Sequence, residues 1–240
     1  MKKYGCVLIC TFLCLTTTLA QKTEVYLIPA LHSLHKTNHQ YNYDSVRAVV
    51  ERIRPHLIAV EIRSEDMEED SAYLKGSYPY EMWMMKYWFP GVVVKGFDWL
   101  GTDLEGKPIP PRYWQDVSRI KYLERRLEID TSFSKKVSDC GLYADERLRI
   151  LQTASLKNIL QSNNAILTRE YYNCLQMHLH GSDYEELVQF YIRRNEEMKK
   201  RIAAIAQEYA GKRIVVLTGD DHYPYLLEHL RKLQLSIQQP

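Results

Sequence analysis

Residues 212–230, KRIVVLTGDDHYPYLLEHL, decide the fold that we predict. A β-branched apolar run breaks at Gly219, His222 follows three residues later, and a helical pattern begins. Such a run, followed at once by a loop and a helix, is typical of a buried strand in a parallel α/β sheet. The first apolar run, residues 24–35 (EVYLIPALHSLH), ends in the same way with His32 and His35. Both ends of the chain therefore predict a strand that delivers histidine at its carboxyl end.

Two further strands complete the predicted sheet. Residues 44–55, DSVRAVVERIRP, predict a helix with Asp44 as its N-cap and Pro55 as its stop. Residues 56–62, HLIAVEI, follow as a second strand, so the three segments form a right-handed unit with parallel strands. A third run, GVVVKGFDW, ends at Asp98 and opens into a Gly- and Pro-rich surface loop, residues 100–114.

A helical region separates the third strand from the last. Residues 112–209 have mainly helical patterns, with Ser182 and Glu185 spaced as a capping box and Gly211 placed as a C-terminal cap. We therefore predict a single α/β domain over residues 21–240. Its parallel-rich central sheet is flanked by helices and carries a helical insertion between the third and last strands.

The amino terminus has the pattern of a secretory signal peptide. Residues 1–20 contain Lys2 and Lys3, an apolar core over residues 6–15 and small or polar residues up to Ala20. We expect cleavage near residue 20 and export to the periplasm or the medium. A lipoprotein is less favoured because Leu13 precedes Cys14. No later segment reaches the roughly 18 apolar residues of a membrane span.

The net charge argues against a nucleic-acid partner, and the cysteine content leaves room for one disulfide. The formal net charge of +2 falls to about zero without Lys2 and Lys3, and no clustered basic excess points to nucleic acid. Cys140 and Cys174 remain in the exported chain. They can pair in an oxidising compartment or remain two separate buried thiols, and the sequence leaves both open.

Polar residues mark the end of every predicted strand. His32, Glu61, Asp98 and His222 follow this rule, and ligands of parallel sheets bind beyond the carboxyl ends of the strands. Two histidines with carboxylates can hold zinc, manganese or cobalt and acidify a bound water. Without a metal, the same groups can serve as a general base and its orienting partner.

A carboxylate in an otherwise apolar strand needs a partner. Burying Glu61 costs several kcal/mol unless its charge is paired. Its structural alternative to a site role is an ion pair with Arg63 or Arg194. Arg194 in turn either orients carboxylates or binds an anionic group of the substrate, or it is a solvated charge. Asp98 is a ligand, a partner for a histidine, or a turn residue.

Other histidines and aromatic residues have less specific patterns. His35 can bind the same ion as His32 only if the loop turns helically, and His39 fits a solvated loop residue. His178 and His180 end a helix, where imidazoles favour the negative pole of the helix dipole. Residues 73–91, YLKGSYPYEMWMMKYWFPG, form either a wall for a bulky ligand or core packing. No serine-hydrolase, dithiol, P-loop or dinucleotide motif occurs.

The motifs together resemble the TraB/Tiki (GumN-like) group. The shared features are an early strand that ends in histidine, a Val-Glu strand, an Arg-Asn helix with a spaced methionine, and a late Gly-x-x-His. The late features are Arg194, Asn195, Met198, Gly219 and His222. The resemblance covers about residues 24–63, 92–98 and 190–232. In the early motif, Pro29 stands where the family has glycine.

The resemblance implies a function as well as a fold. The superfamily also contains ChaN-like haem binders and erythromycin-esterase-like hydrolases. The implied function is metal-dependent hydrolysis of a peptide or ester bond of a peptide or small-molecule substrate. His32, His222 and Glu61 would bind manganese, cobalt or zinc, with Glu61, Asp98 and Arg194 as catalytic residues. The alternatives are a haem or small-ligand binder using His35 and the aromatic stretch, or a non-catalytic member, as Pro29 suggests.

Overall fold

The computed structural model describes residues 22–233 and 235–240. Its five strands form one parallel sheet in the order β3-β2-β4-β1-β5. The strands are β1 (Glu24–Ala30), β2 (Leu57–Arg63), β3 (Val93–Asp98), β4 (Arg213–Gly219) and β5 (Ser236–Gln238). The predicted α/β fold with a parallel sheet is confirmed. The short β5, which pairs with the start of β1, was not predicted.

Helices flank the sheet on both faces and fill the chain between β3 and β4. They are α1 (Tyr43–Ile53), α2 (Ser71–Ser77), α3 (Tyr80–Trp88), α4 (Arg119–Ile129), α5 (Thr131–Lys136), α6 (Ser138–Thr153), α7 (Leu156–Gln161), α8 (Asn164–Leu179), α9 (Glu185–Glu208) and α10 (Tyr223–Lys232). Within the described residues, no helix combines the length and the apolar character needed to cross a membrane. The predicted signal peptide, residues 1–20, lies outside the described residues.

Alternate residues of the strands supply two cores, one on each face of the sheet. On one face, Ile58 and Val215 pack against Val50 of α1 and Met82 of α3. On the other face, the strands pack against α9 and α10 through the apolar residues Val25, Leu27, Ala59, Ile214, Val216, Met198, Ile202, Leu226 and Leu230. Both faces of β1, β2 and β4 are buried along most of their length, which explains why their sequences are nearly continuous apolar runs.

Two predicted helix ends differ in detail. Asn42, and not Asp44, is the N-cap of α1, since its side chain accepts a hydrogen bond from Ser45 N at 2.9 Å. The Ser182 hydroxyl accepts from Tyr184 N at 3.2 Å, while the Glu185 carboxylate accepts from the backbone before it. The two side chains thus accept from backbone N–H groups as in a capping box, but each N–H lies one residue earlier than the box requires: Tyr184 and Gly181 in place of Glu185 and Ser182.

A disulfide fixes part of the helical region. Cys140 of α6 is bonded to Cys174 of α8, which decides between the two states that the sequence left open. A small separate core lies beside this region and contains Leu123, Leu179, Tyr184 and Val188. The disulfide therefore ties two long helices that otherwise have little core of their own.

Candidate active site

Four parallel strands carry polar side chains to one edge of the sheet. His32 follows β1, Glu61 lies in β2, Asp98 ends β3 and His222 follows β4. Since β2 and β1 both pair with β4, their ends lie on either side of Gly219, the last residue of β4. The predicted convergence of strand ends is therefore a property of the sheet order.

Glu61 lies at the centre of this group and is 5% exposed. Its Oε2 accepts hydrogen bonds from Thr218 Oγ1 at 2.9 Å and from Gly219 N at 2.7 Å, and its Oε1 accepts from Arg194 at 2.8 Å. Burial opposes its ionisation, but His222, which is protonated in the acidic range where Glu61 titrates, the charges of Arg194 and His32 and the Gly219 N–H lower the pKa of Glu61 to about 2. Glu61 is therefore a carboxylate at neutral pH.

Arg194 of α9 binds two carboxylates at once. Its Nε and Nη2 donate to the two oxygens of Asp98 at 2.8 and 3.0 Å, and Nη2 also reaches Glu61. Asp98 is 1% exposed, and burial with the nearby Glu61 charge raises its pKa even though Arg194 opposes the rise. The bidentate fork fixes the guanidinium between β2 and β3. Of the two ion pairs expected as the structural alternative for Glu61, the one with Arg194 is formed and the one with Arg63 is not.

Arg63 instead anchors the loop that follows β3. It forms a bidentate pair with Asp66 at 2.7 and 2.8 Å and donates to the carbonyls of Leu104 and Lys107. Leu104 and Ile109 are buried. The segment predicted as a surface loop is thus fastened to the end of β2, beside the site.

His222 is buried and presents one free nitrogen to Glu61. Its Nδ1 lies 2.9 Å from Asn195 Oδ1, which accepts a hydrogen bond from the Nδ1–H group, and its ring stacks on Tyr191. Nε2 therefore carries the lone pair, 3.6 Å from Glu61 Oε1. Burial lowers the pKa of His222 to about 4, assisted by the charges of Arg194 and His32 and opposed by Glu61 and Asp221. The imidazole is neutral at pH 7.

His32 has the opposite electrostatic environment. Its Nδ1 lies 2.7 Å from Oε1 of Glu81, a fully buried residue of α3. Although burial lowers the pKa of His32, the hydrogen bond and charge of Glu81, with the charges of Glu61 and Asp220, raise it to about 9. His32 is therefore an imidazolium at neutral pH, and its Nδ1–H donates to Glu81.

Gly219 makes room for the His32 ring. A Cβ on Gly219 would lie 2.8 Å from His32 Nε2 and 3.4 Å from Glu61 Oε2. The first of these distances is too short for any side chain. The glycine of the late Gly-x-x-His motif is therefore required by a contact with the first histidine, at the far end of the chain.

Pro29 fits β1 without loss of a hydrogen bond. Ala30 O accepts a hydrogen bond from Asp220 N on the β4 side. Because the backbone polar groups of successive strand residues point alternately to the two neighbouring strands, the nitrogen of Pro29 faces away from β4. On that side β5 pairs only with residues 24–26 of β1, and the Pro29 carbonyl accepts a hydrogen bond from Tyr41. The left-handed conformation after the strand is taken by His32 itself, with φ of 53°.

Three residues that the sequence did not single out fasten the loop after β4: Arg147, Asp220 and Asp221. Arg147 of α6 donates to Asp220 Oδ2 at 2.6 Å and also to Asp221. Burial and the neighbouring Asp221 raise the pKa of Asp220 to about 6, with Arg147 and His32 opposing. These ion pairs connect the helical region with the loop that carries His222.

Three adjoining clefts surround the group. The central one, about 430 Å³, is lined by His32, Glu61, Asp98 and Arg194. A cleft of about 620 Å³ on the side of the helical region includes Arg194 and His222. A third, about 940 Å³, begins at His32 and has aromatic walls. The buried charges therefore line space large enough for a substrate.

No protein family, curated protein or solved structure matches this chain. The function has to be inferred from the chemistry of the site.

The structure brings together five of the predicted residues: His32, Glu61, Asp98, Arg194 and His222. It does not bring His35 to the group. That ring is 1% exposed, its Nε2 accepts from Leu31 N at 2.8 Å, and its Nδ1 donates to Tyr41 O at 2.6 Å. Glu81 was missed, although a single carboxylate in the apolar run YEMWMMKYW is the same signal that identified Glu61.

The donor types of the site suit a metal, but their arrangement does not. Both His32 and His222 donate Nδ1–H to an oxygen, as metal-binding histidines do. However, the Arg194 guanidinium already donates a hydrogen bond to Glu61 Oε1, the oxygen nearest His222, and His32 is itself protonated. Among the described residues, ligand atoms from three side chains lie within 4.8 Å of one another only at Cys140, Cys174 and His178, where the disulfide leaves His178 as the single free ligand.

Proposed function

We propose that this protein is a hydrolase of ester or peptide bonds whose side chains supply the acid–base chemistry. The observation that carries the proposal is the pair of imidazoles on either side of Glu61. His222 has its Nδ1 proton fixed by Asn195 and its Nε2 free, whereas His32 donates to the buried carboxylate of Glu81. Two like groups in opposite protonation states are the usual signature of an acid and a base in one site.

The neutral His222 is the base of this proposal. Its Nε2 takes a proton from a water molecule as the water oxygen attacks the substrate carbonyl carbon. Glu61, 3.6 Å away, stabilises the imidazolium that forms. Asn195 holds the ring in the required tautomer, a role comparable to that of the carboxylate in a catalytic triad.

The cations stabilise the negative charge that develops on the substrate. His32, an imidazolium in a partly water-excluded cleft, donates a proton or a hydrogen bond to the carbonyl oxygen or the leaving group. Arg194 keeps Glu61 and Asp98 in place and faces the central cleft. Fixed donors of this kind need no reorganisation during the reaction, which is why they are effective.

The metal-dependent form, which the family resemblance implies, is the alternative version of this hydrolase. A bound manganese, cobalt or zinc ion would acidify a water, and His32, His222 and Glu61 are the residues that would hold it. Elemental analysis after loading and dialysis, beside a His32→Ala, His222→Ala double variant, distinguishes the two versions. Stoichiometric metal that disappears in the double variant would favour the metal-dependent one.

Haem or small-ligand binding is the second function class. Its support is the aromatic cleft next to His32. Because both ring nitrogens of His35 are engaged in the core, His32 is the histidine of this cleft that could serve as an axial ligand. The site as a whole, with its opposed imidazoles, favours the hydrolase. The predicted export fits either class and agrees with the Cys140–Cys174 bond.

Hydrolysis of a panel of p-nitrophenyl esters and peptide p-nitroanilides tests the proposal. The protein is assayed after treatment with EDTA and again after metal loading. We expect activity in the chelated protein, a loss of about 100-fold or more in His222→Gln, and no change in His39→Gln, which alters an exposed histidine. Equal rates in the His222 and His39 variants would contradict the proposal.

A further inference from the structure

The widest cleft of the site has a rigid aromatic wall. Tyr80 packs edge-to-face on Tyr43, Trp83 and Trp88, with ring centroids 4.8, 5.4 and 5.8 Å apart. All four rings line the cleft of about 940 Å³, and Tyr80 is 41% exposed. Interlocked rings form a preorganised surface, on which a flat group can pack at little cost in conformational entropy.

The rim of this cleft is positively charged. Lys36 and Lys75, both exposed, line it together with a single acidic residue, Asp44. Lys75 belongs to α2 and Lys36 follows His32 in the loop after β1, so the two cations come from separate elements. The aromatic wall suits a planar ring, which can stack on it, and the cationic rim suits an anionic substituent on that ring.

The cleft adjoins the central one. His32, Tyr78 and Pro79 line both. A ligand held against the aromatic wall can therefore extend past His32 towards Glu61. The aromatic stretch has two functions in this arrangement, since Met82 and Met85 are fully buried in the core on the same helix.

We propose that this cleft binds a planar ring bearing a negatively charged substituent, as the part of the substrate that is not cleaved. The inference rests on the proposed hydrolase function and names the class of its substrate. The ring packs on Tyr80 and Trp83, and the anion faces Lys36 and Lys75. The bond to be hydrolysed then lies beyond His32.

Calorimetric titration with 2-naphthoate, beside the neutral 2-naphthamide, tests the subsite without any catalytic readout. We expect naphthoate to bind more tightly than the amide, Trp83→Ala to weaken both by about tenfold, and Trp83→Phe to restore most of the loss. Lys75→Gln should weaken naphthoate about two- to fivefold and leave the amide unchanged. Lys157→Gln, which removes an exposed lysine of α7, is the matched control and should change neither.

The outcomes separate this inference from the proposed function. Naphthoate binding that depends on Trp83 and Lys75, in a protein without hydrolytic activity, would support the subsite and overturn the hydrolase. Hydrolysis without measurable naphthoate binding, or binding that ignores Trp83 and Lys75, would overturn the subsite. Haemin that displaces naphthoate, in a protein that leaves the chromogenic esters uncleaved, would overturn the substrate subsite and assign the cleft to haem.

Discussion

Replacing Arg194 with methionine should destabilise the fold substantially, because two buried carboxylates share this one guanidinium. Asp98 and Glu61 are 1% and 5% exposed, and three hydrogen bonds of 2.8 to 3.0 Å connect them to Arg194. Breaking a buried ion pair by removal of one partner costs about 3–5 kcal/mol. Since 18% of the Arg194 side chain is exposed, we expect about 3 kcal/mol, measured by urea unfolding at pH 7.

Two comparisons make this prediction specific. Arg193→Met removes an exposed neighbouring charge and should cost less than about 0.5 kcal/mol. Asp98→Asn in the Arg194→Met background should recover about 1 kcal/mol or more, because it removes a buried charge that has lost its partner. Equal costs for Arg194→Met and Arg193→Met would show that Arg194 does not hold the two buried carboxylates.

The pH dependence of the Arg194 variant has a definite sign. Burial raises the pKa of Asp98, and loss of the guanidinium raises it further. A carboxyl whose pKa is higher in the folded state than in the unfolded state favours folding below the unfolded value, and this stability is lost as pH rises through the folded value. The deficit of Arg194→Met should therefore shrink between pH 7 and pH 4. A deficit that grows on acidification would contradict the assigned charge of Asp98.

Three further predictions concern the same region and the helical region. Gly219→Ala should displace the His32 ring, since the new Cβ would lie 2.8 Å from Nε2, and should lower hydrolysis about 100-fold; an unchanged rate would show that the contact is unimportant. Glu81→Gln should lower the pKa of His32 from about 9, as measured by NMR titration. The wild type should lose stability as the pH rises from 6.5 to 9, and the variant should not show this loss. An unchanged pKa of His32 would exclude the His32–Glu81 pair. A Cys140→Ser, Cys174→Ser double variant, which opens a 34-residue separation, should lose at most about 4 kcal/mol; a gain in stability would contradict the native pairing.

The strands and their functional ends could be predicted from the sequence. The strands β1, β2 and β4 are nearly continuous apolar runs because both of their faces are buried, and such runs end visibly at polar residues. Glu61 stood out because an isolated carboxylate in a buried strand needs a partner. The parallel arrangement then placed His32 and His222 at one edge of the sheet.

The remaining features depend on contacts between distant segments. The position of β4 between β1 and β2 depends on pairing between distant segments and leaves no local signal in the sequence. The strand β5, which pairs with β1, is only three residues long and has no recognisable pattern. The roles of the two histidines differ only because Glu81 reaches one and Asn195 the other. His35 has the same spacing from the strand as a ligand would, yet the loop turns it into the core.

The pH dependence of kcat/KM for the best ester of the panel, measured on chelated protein, is the decisive test of the acid and base roles of the two histidines. We expect a bell-shaped profile, with activity lost below about pH 4 as His222 is protonated and above about pH 9 as His32 loses its proton. Glu81→Gln should move only the alkaline limb to lower pH. An inactive chelated protein, or an alkaline limb that Glu81→Gln leaves in place, would contradict the assignment of His222 and His32 as base and acid.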